Sequence, residues 1–178
     1  MDQVPLSDTQ LDYLASKHPQ LGSIYGGTLP CDKLPKTLQR STKTAFVVNT
    51  DPAGMPGSHW IALWTEGEKC ELFDSFALPL KTYPDAAPLI QWLNNHYVLV
   101  EANADSVQAL TSQTCGFYAM FYLMAKSRGA SMLDFTSHFK KHDLIGNDKL
   151  VTDMMNYLIE KDSKWDDVCS RCFNQRNK

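Results

Sequence analysis

Five cysteines and five histidines are the side chains in this chain best suited to covalent and acid–base chemistry. Cys115 stands just ahead of the apolar run Phe117 to Ala125, which reads as a helix buried on all sides. A cysteine in the first turn of such a helix has its sulfur beside free backbone N–H groups and the positive end of the dipole, which favour thiolate. Gly116, beside it, leaves room for a substrate backbone to approach. A thiol nucleophile needs a base, and His59 stands at the expected start of a strand, preceded by Gly57 and Ser58 and followed by Trp60. Glycine before the ring and an indole after it suit an imidazole presented at a cleft and shielded on one face. The returning strand ends at Asp74, whose carboxylate can orient that imidazole. An amide donor for the developing oxyanion is available at Gln108 or Gln113, in the loop that leads into the helix carrying the sulfur.

The elements that must position these residues are legible in outline. Ser7 with Gln10 forms a capping box and Leu6 with Leu11 a staple, so a helix is expected from Asp8 to Lys17, ended by Pro19. Residues 22–40 hold three glycines and two prolines and read as loop with short structure. Strands are expected at Thr44 to Asn49, His59 to Thr65 and Lys69 to Asp74, the last two joined as a hairpin through Gly67. A helix with Pro88 in its first turn fits the stretch from Pro84 to His96, followed by strand character at Tyr97 to Glu101. After the central helix, Cys115 to Ser127, amphipathic helices are expected near Met132 to His142 and Lys149 to Lys161.

Composition bounds the reading. A length of 178 residues suits one domain, 1–178, with 43% hydrophobic and 21% charged residues, close to the globular average. An odd number of cysteines and an N-terminus without a basic-then-apolar pattern point to a reducing compartment rather than secretion. The apolar run is too short to span a bilayer, which takes about 20 residues. Net charge of −3 and a pI near 5.9 give no global positive field for nucleic acid. Only the tail, with Arg171, Arg176 and Lys178, is locally basic.

Four segments together resemble a known family: Gly57–Ser58–His59–Trp60, Cys70–Glu71–Leu72–Phe73–Asp74–Ser75–Phe76, Ser106–Val107–Gln108 and Cys115–Gly116–Phe117 look like the adenovirus protease, adenain. The chain order His, acid, Gln, Cys is shared with the SUMO-deconjugating proteases and is the reverse of papain's. Six residues lie between Gln108 and Cys115, as in the adenovirus enzymes, whereas the SUMO group spaces them one residue closer. This favours Gln108 over Gln113. Asp74 is the acid of the SUMO group, where the adenovirus group has Glu.

The resemblance implies an α+β fold, a mixed β-sheet flanked by helices with a central buried helix carrying the nucleophile, papain-like or adenain-like in type. It implies a cysteine endopeptidase with His59, Asp74, Gln108 and Cys115 as catalytic residues, Gly57, Trp60 and Gly116 near the substrate, and no metal. The substrates implied are viral capsid and core precursors cut at Gly-Gly or Gly-x-Gly sites during virion maturation, in the host nucleus or cytoplasm and the virion. In adenoviruses a disulfide-linked viral peptide and DNA switch the enzyme on. Here Tyr97 stands where the linking cysteine would fall, so an activating peptide is expected to act without that disulfide, and the acidic pI argues against strong stimulation by DNA. Ile24–Tyr25–Gly26–Gly27 matches the cleavage pattern and admits self-cleavage after Gly27, with a tight turn as the plainer reading. Removal of SUMO-like or ubiquitin-like modifiers is the nearest alternative. From another class comes a zinc-stabilised interaction domain, since His138 and His142 are spaced like ligands on a helix surface and Cys169 and Cys172 form a C-x-x-C pair.

Overall fold

Residues 44–49 and 60–66 carry apolar side chains at nearly every position, so a sheet built from them must be covered on both faces. A computed structural model, describing residues 5–39 and 41–160, shows that cover. The strands β1 (Tyr25–Pro30), β2 (Thr44–Asn49), β3 (Trp60–Glu66), β4 (Lys69–Phe73) and β5 (Leu99–Ala102) lie side by side in chain order. The outer pairs β1/β2 and β4/β5 are parallel and the inner pairs antiparallel, so the sheet is mixed. Successive side chains point to opposite faces. Ala45, Val47, Ala62 and Trp64 therefore join one core, and Phe46, Val48, Ile61 and Leu63 the other.

The first core is closed by α1 (Asp8–Lys17), α4 (Cys115–Ser127), α5 (Met132–Ser137) and α6 (Leu144–Glu160), the second by α3 (Ala87–His96) through Leu89, Trp92 and Leu93. From Cys115 to Ala125 every residue of α4 is buried, which its apolar circumference requires. Each large side chain buried there contributes about 1.5–3 kcal/mol. A Met120→Ala cavity in the middle of that helix costs about 2–5 kcal/mol. The fold is α+β, with the expected central helix running over the expected residues.

Several expectations need correction. The glycine-rich stretch read as loop with short structure contains β1, and within Ile24–Gly27 only Ile24 lies in a turn, while Tyr25–Gly27 begin a strand paired with β2 across a bulge. Glycine is needed there for packing, since a Cβ on Gly26 would sit 2.2 Å from Phe46 Cε1. Pro19 does not merely stop α1. It opens the short helix α2 (Pro19–Gly22), which His18 caps by accepting from the Leu21 N–H at 3.2 Å. Tyr97 does not begin a strand but closes α3, its N–H donating to the Leu93 carbonyl. Helix α5 stops at Ser137, and α6 starts at Leu144, five residues earlier than expected. The reason is side-chain capping: Asp143 Oδ1 accepts from the Gly146 N–H at 3.0 Å, while Asn147 bonds both backbone groups of Lys140.

Candidate active site

Two loops present the histidine and the acid. The Thr50 N–H donates to the His59 carbonyl at 2.9 Å, continuing the β2–β3 ladder past Trp60. Gly57, at φ +86°, makes the bend that aims the chain; a Cβ there would lie 2.7 Å from Asn49 Nδ2. Asp74 follows β4 directly and its backbone is clamped by Asn103, which accepts from the Asp74 N–H at 2.8 Å and donates to its carbonyl at 2.7 Å. The turn beyond wraps the carboxylate. Oδ1 accepts from the Phe76 N–H at 2.9 Å, and Oδ2 from the Leu78 N–H at 3.1 Å and the Tyr83 hydroxyl at 2.6 Å. Ala77 adopts φ 52° in this turn, a strained conformation for alanine.

His59 Nε2 lies 2.7 Å from Asp74 Oδ1, both side chains being almost fully buried. The ring is flanked by Phe76 (centroids 4.7 Å, 20°) and Tyr83 (5.2 Å, 11°). Its Nδ1 is buried and makes no hydrogen bond of ordinary geometry among the described residues. With Nε2 occupied by Asp74, the Cys115 thiol acts on the imidazole from the remaining side, and its hydrogen bonding and charge help to hold a proton there. Burial works against the imidazolium, but Asp74 and Cys115 outweigh it and push the His59 pKa up to about 9. Burial likewise opposes the Asp74 anion, yet His59, Tyr83 and the Phe76 N–H hold its pKa below the usual carboxylate range.

Cys115 opens α4 and is 7% exposed. Thr114 occupies the N-cap position without a side-chain hydrogen bond to the helix, so the first N–H groups of α4 are left open beside the sulfur. Gln108 is fully buried. Its Oε1 accepts from Ser75 Oγ at 2.5 Å, and its Nε2 donates to the Ser112 carbonyl and hydroxyl, both at 3.0 Å. The carbonyl contact fixes which end of the amide is nitrogen. Gln113 is exposed. The arrangement can deprotonate a thiol, hold the resulting cation, and keep an amide fixed in the adjoining loop.

No family model matches the chain. Individual relatives do. A protease of bovine adenovirus 4 is 29% identical over 136 residues, covering 66% of this chain and 63% of its own length. A protease of ovine adenovirus D serotype 7 is 28% identical over 132 residues, again 66% and 63%. The cysteine protease of African swine fever virus is 27% identical over 113 residues, 57% of this chain and 41% of that protein. The chain is thus similar to viral cysteine proteases of the adenain kind. It spans less than two thirds of the length of those relatives. A crystal structure of the African swine fever virus protease overlaps 84% of this chain and 70% of its own, at 14% identity and a TM-score of 0.49.

Gly57 and Trp60, the neighbours of His59 in sequence, line a groove of about 540 Å³ together with Leu6, Asn49, Asp51 and Met55. Gly116 is differently employed. Its missing side chain is replaced by Trp60 Cδ1, Leu6 and Leu11, within 3.2–3.6 Å of where a Cβ would stand, so this glycine lets α4 close on the N-terminal segment rather than opening space for substrate. Trp60 does not shield His59, as expected from sequence; its indole donates to the Leu6 carbonyl at 3.1 Å. Phe76 and Tyr83 do the shielding. Tyr83 and Asn103 escaped sequence reasoning because nothing local marks them; each reaches the site only through the folded loops that follow β4 and β5.

The pieces of the zinc reading separate. His138 follows the end of α5 with its Nδ1 donating to the Asp134 carbonyl at 2.6 Å, and His142 lies in the turn before α6, so the two do not share a helix surface. Cys169 and Cys172 lie outside the described residues, as does the basic tail. Among the described residues no three His, Cys, Asp or Glu side chains cluster as metal ligands, and no helix is long and apolar enough to cross a membrane.

Proposed function

We propose that this chain is a cysteine endopeptidase. Cys115 Sγ attacks the scissile carbonyl, the proton resides on His59, and the imidazolium then protonates the leaving amine. Water hydrolyses the thioester in the reverse sense, with His59 as base. Asp74 keeps the ring in the required tautomer and stabilises its cation. The observation that carries the reading is the buried His59, held on Asp74 at 2.7 Å through one nitrogen and influenced by Cys115 on the other side. Gln108 supplies the oxyanion donor together with N–H groups at the head of α4. One Nε2 hydrogen is held by Ser112, whose carbonyl and hydroxyl both lie at 3.0 Å, and the other is the one offered to the oxyanion.

Substrates are proteins with Gly-Gly or Gly-x-Gly cleavage sites, as the adenovirus resemblance suggests, and capsid or core precursors of a virus are the corresponding class. The groove lined by Trp60 and Gly57, the neighbours of His59 in sequence, is the proposed seat for the residues before the cut. A peptide bearing an electrophilic Gly-Gly C-terminus tests this directly. The expected result is one adduct on Cys115, lost in His59→Ala. An adduct on another cysteine, or equal labelling by a full modifier-aldehyde and none by the short peptide, would move the reading away from an endopeptidase.

A further inference from the structure

The loop from Val107 to Thr114 carries Gln108 and delivers the chain to Cys115, yet it holds little regular structure of its own. Its order comes from α6. Asp148, 4% exposed in the first turns of that helix, accepts from the Ala109 N–H at 3.2 Å, from Thr114 Oγ1 at 3.3 Å and from the Tyr118 hydroxyl at 3.0 Å. Its neighbour Asn147 donates to the Val107 carbonyl at 3.1 Å. The Thr114 hydroxyl also meets Ser112 Oγ at 2.7 Å, and Ser112 holds the Gln108 amide. A continuous chain of hydrogen bonds thus runs Asp148, Thr114, Ser112, Gln108, Ser75, ending one residue from Asp74.

A buried carboxylate is costly unless its lone pairs are filled. Asp148 has no cationic partner among the described residues; its donors are the hydroxyls and one N–H of this loop and of α4. Burial raises its pKa, and the bonds from Tyr118, Ala109, Ser112 and Thr114 oppose that rise. Such a group is placed where it ties the loop down at both ends, and an amide donor is effective only if fixed before charge develops.

We propose that Asp148 is a positioning residue for the oxyanion side of the site, holding the Gln108 amide in one geometry through Thr114 and Ser112. This rests on the cysteine-peptidase reading above. Asp148→Asn keeps the size and removes the charge. It is expected to lower kcat on a Gly-Gly peptide by about tenfold to a hundredfold, with KM little changed, as a displaced catalytic group would. Alkylation of Cys115 by iodoacetamide forms no oxyanion, so its rate and pH profile should stay near wild type. Thr114→Val should reproduce this pattern and Thr114→Ser should restore turnover; these two decide the question if Asp148→Asn does not fold. Unchanged turnover in a folded variant overturns the proposal. So does a parallel loss of alkylation and turnover, which would mean a general loosening. A wild-type chain that hydrolyses no peptide contradicts the peptidase reading instead, and amide exchange then judges the tether: faster exchange across 107–114 in Asp148→Asn supports it, and unchanged exchange overturns it.

Discussion

His59 Nε2 and Asp74 Oδ1 sit 2.7 Å apart at 3% and 1% residue exposure, so the imidazole and the carboxylate form a pair almost sealed from solvent. Such a pair makes stability depend on pH from both sides. The raised His59 value means its contribution is complete below the ordinary value of about 6.5 and is lost as pH rises through about 9. The lowered Asp74 value means its contribution is complete above about 4 and is lost as pH falls below that. The difference in unfolding free energy between wild type and Asp74→Asn should therefore be greatest from about pH 4 to 6.5 and shrink on either side. Urea titrations across that range measure it; a difference flat from pH 5 to 9.5 would refute the pairing.

Among the described cysteines, Cys115 should be alkylated first. Burial and the neighbouring Glu71 charge push Cys70 up to about 12, and burial with the charges of Asp32 and Asp51 pushes Cys31 up to about 11. His59→Ala should slow labelling at Cys115 because the proton acceptor beside it is lost. Mass mapping of iodoacetamide adducts against time reads the order, and Cys31 or Cys70 leading would overturn it.

Gln108→Ala should lower turnover by about 10² to 10³, the usual loss for one oxyanion donor, while Gln113→Ala changes little. Gln108 is fully buried and bonded at both ends, and Gln113 points to solvent. Steady-state kinetics with the reverse ranking would move the role to Gln113.

What was legible depended on how local the signal was. The capping box of Ser7 and Gln10 and the helix from Cys115 are written in adjacent residues, and the hairpin that brings Asp74 back to His59 is written in the strands that flank Gly67; the structure has these as read. Strand β1 was missed because Gly26 and Gly27 speak for loop locally, whereas the Phe46 ring beneath Gly26 makes glycine necessary in a strand. The start of α6 was missed because Gly146 argues against helix until Asp143 is seen to cap it. Trp60 and Gly116 were assigned to the site separately, although they fit against each other. Asp148 lies 34 residues beyond Thr114, and only folding brings their side chains together.

A peptide activator, if one exists, should act without a disulfide at Tyr97, whose ring lies tilted against Trp92 with centroids 5.4 Å apart and which offers no thiol. Strand β5, at the sheet edge with all four residues exposed, can accept an added strand through main-chain hydrogen bonds. Stimulation should survive dithiothreitol, and DNA should add little to a chain of net charge −3. Stimulation abolished by reductant, or a large salt-sensitive effect of DNA, would count against this.

The most direct measurement is hydrolysis of a fluorogenic Leu-x-Gly-Gly peptide by wild type and by Cys115→Ala, each with its fold checked by circular dichroism. The account predicts cleavage after the second glycine by wild type and none above background by Cys115→Ala. Equal cleavage by the two proteins would contradict it.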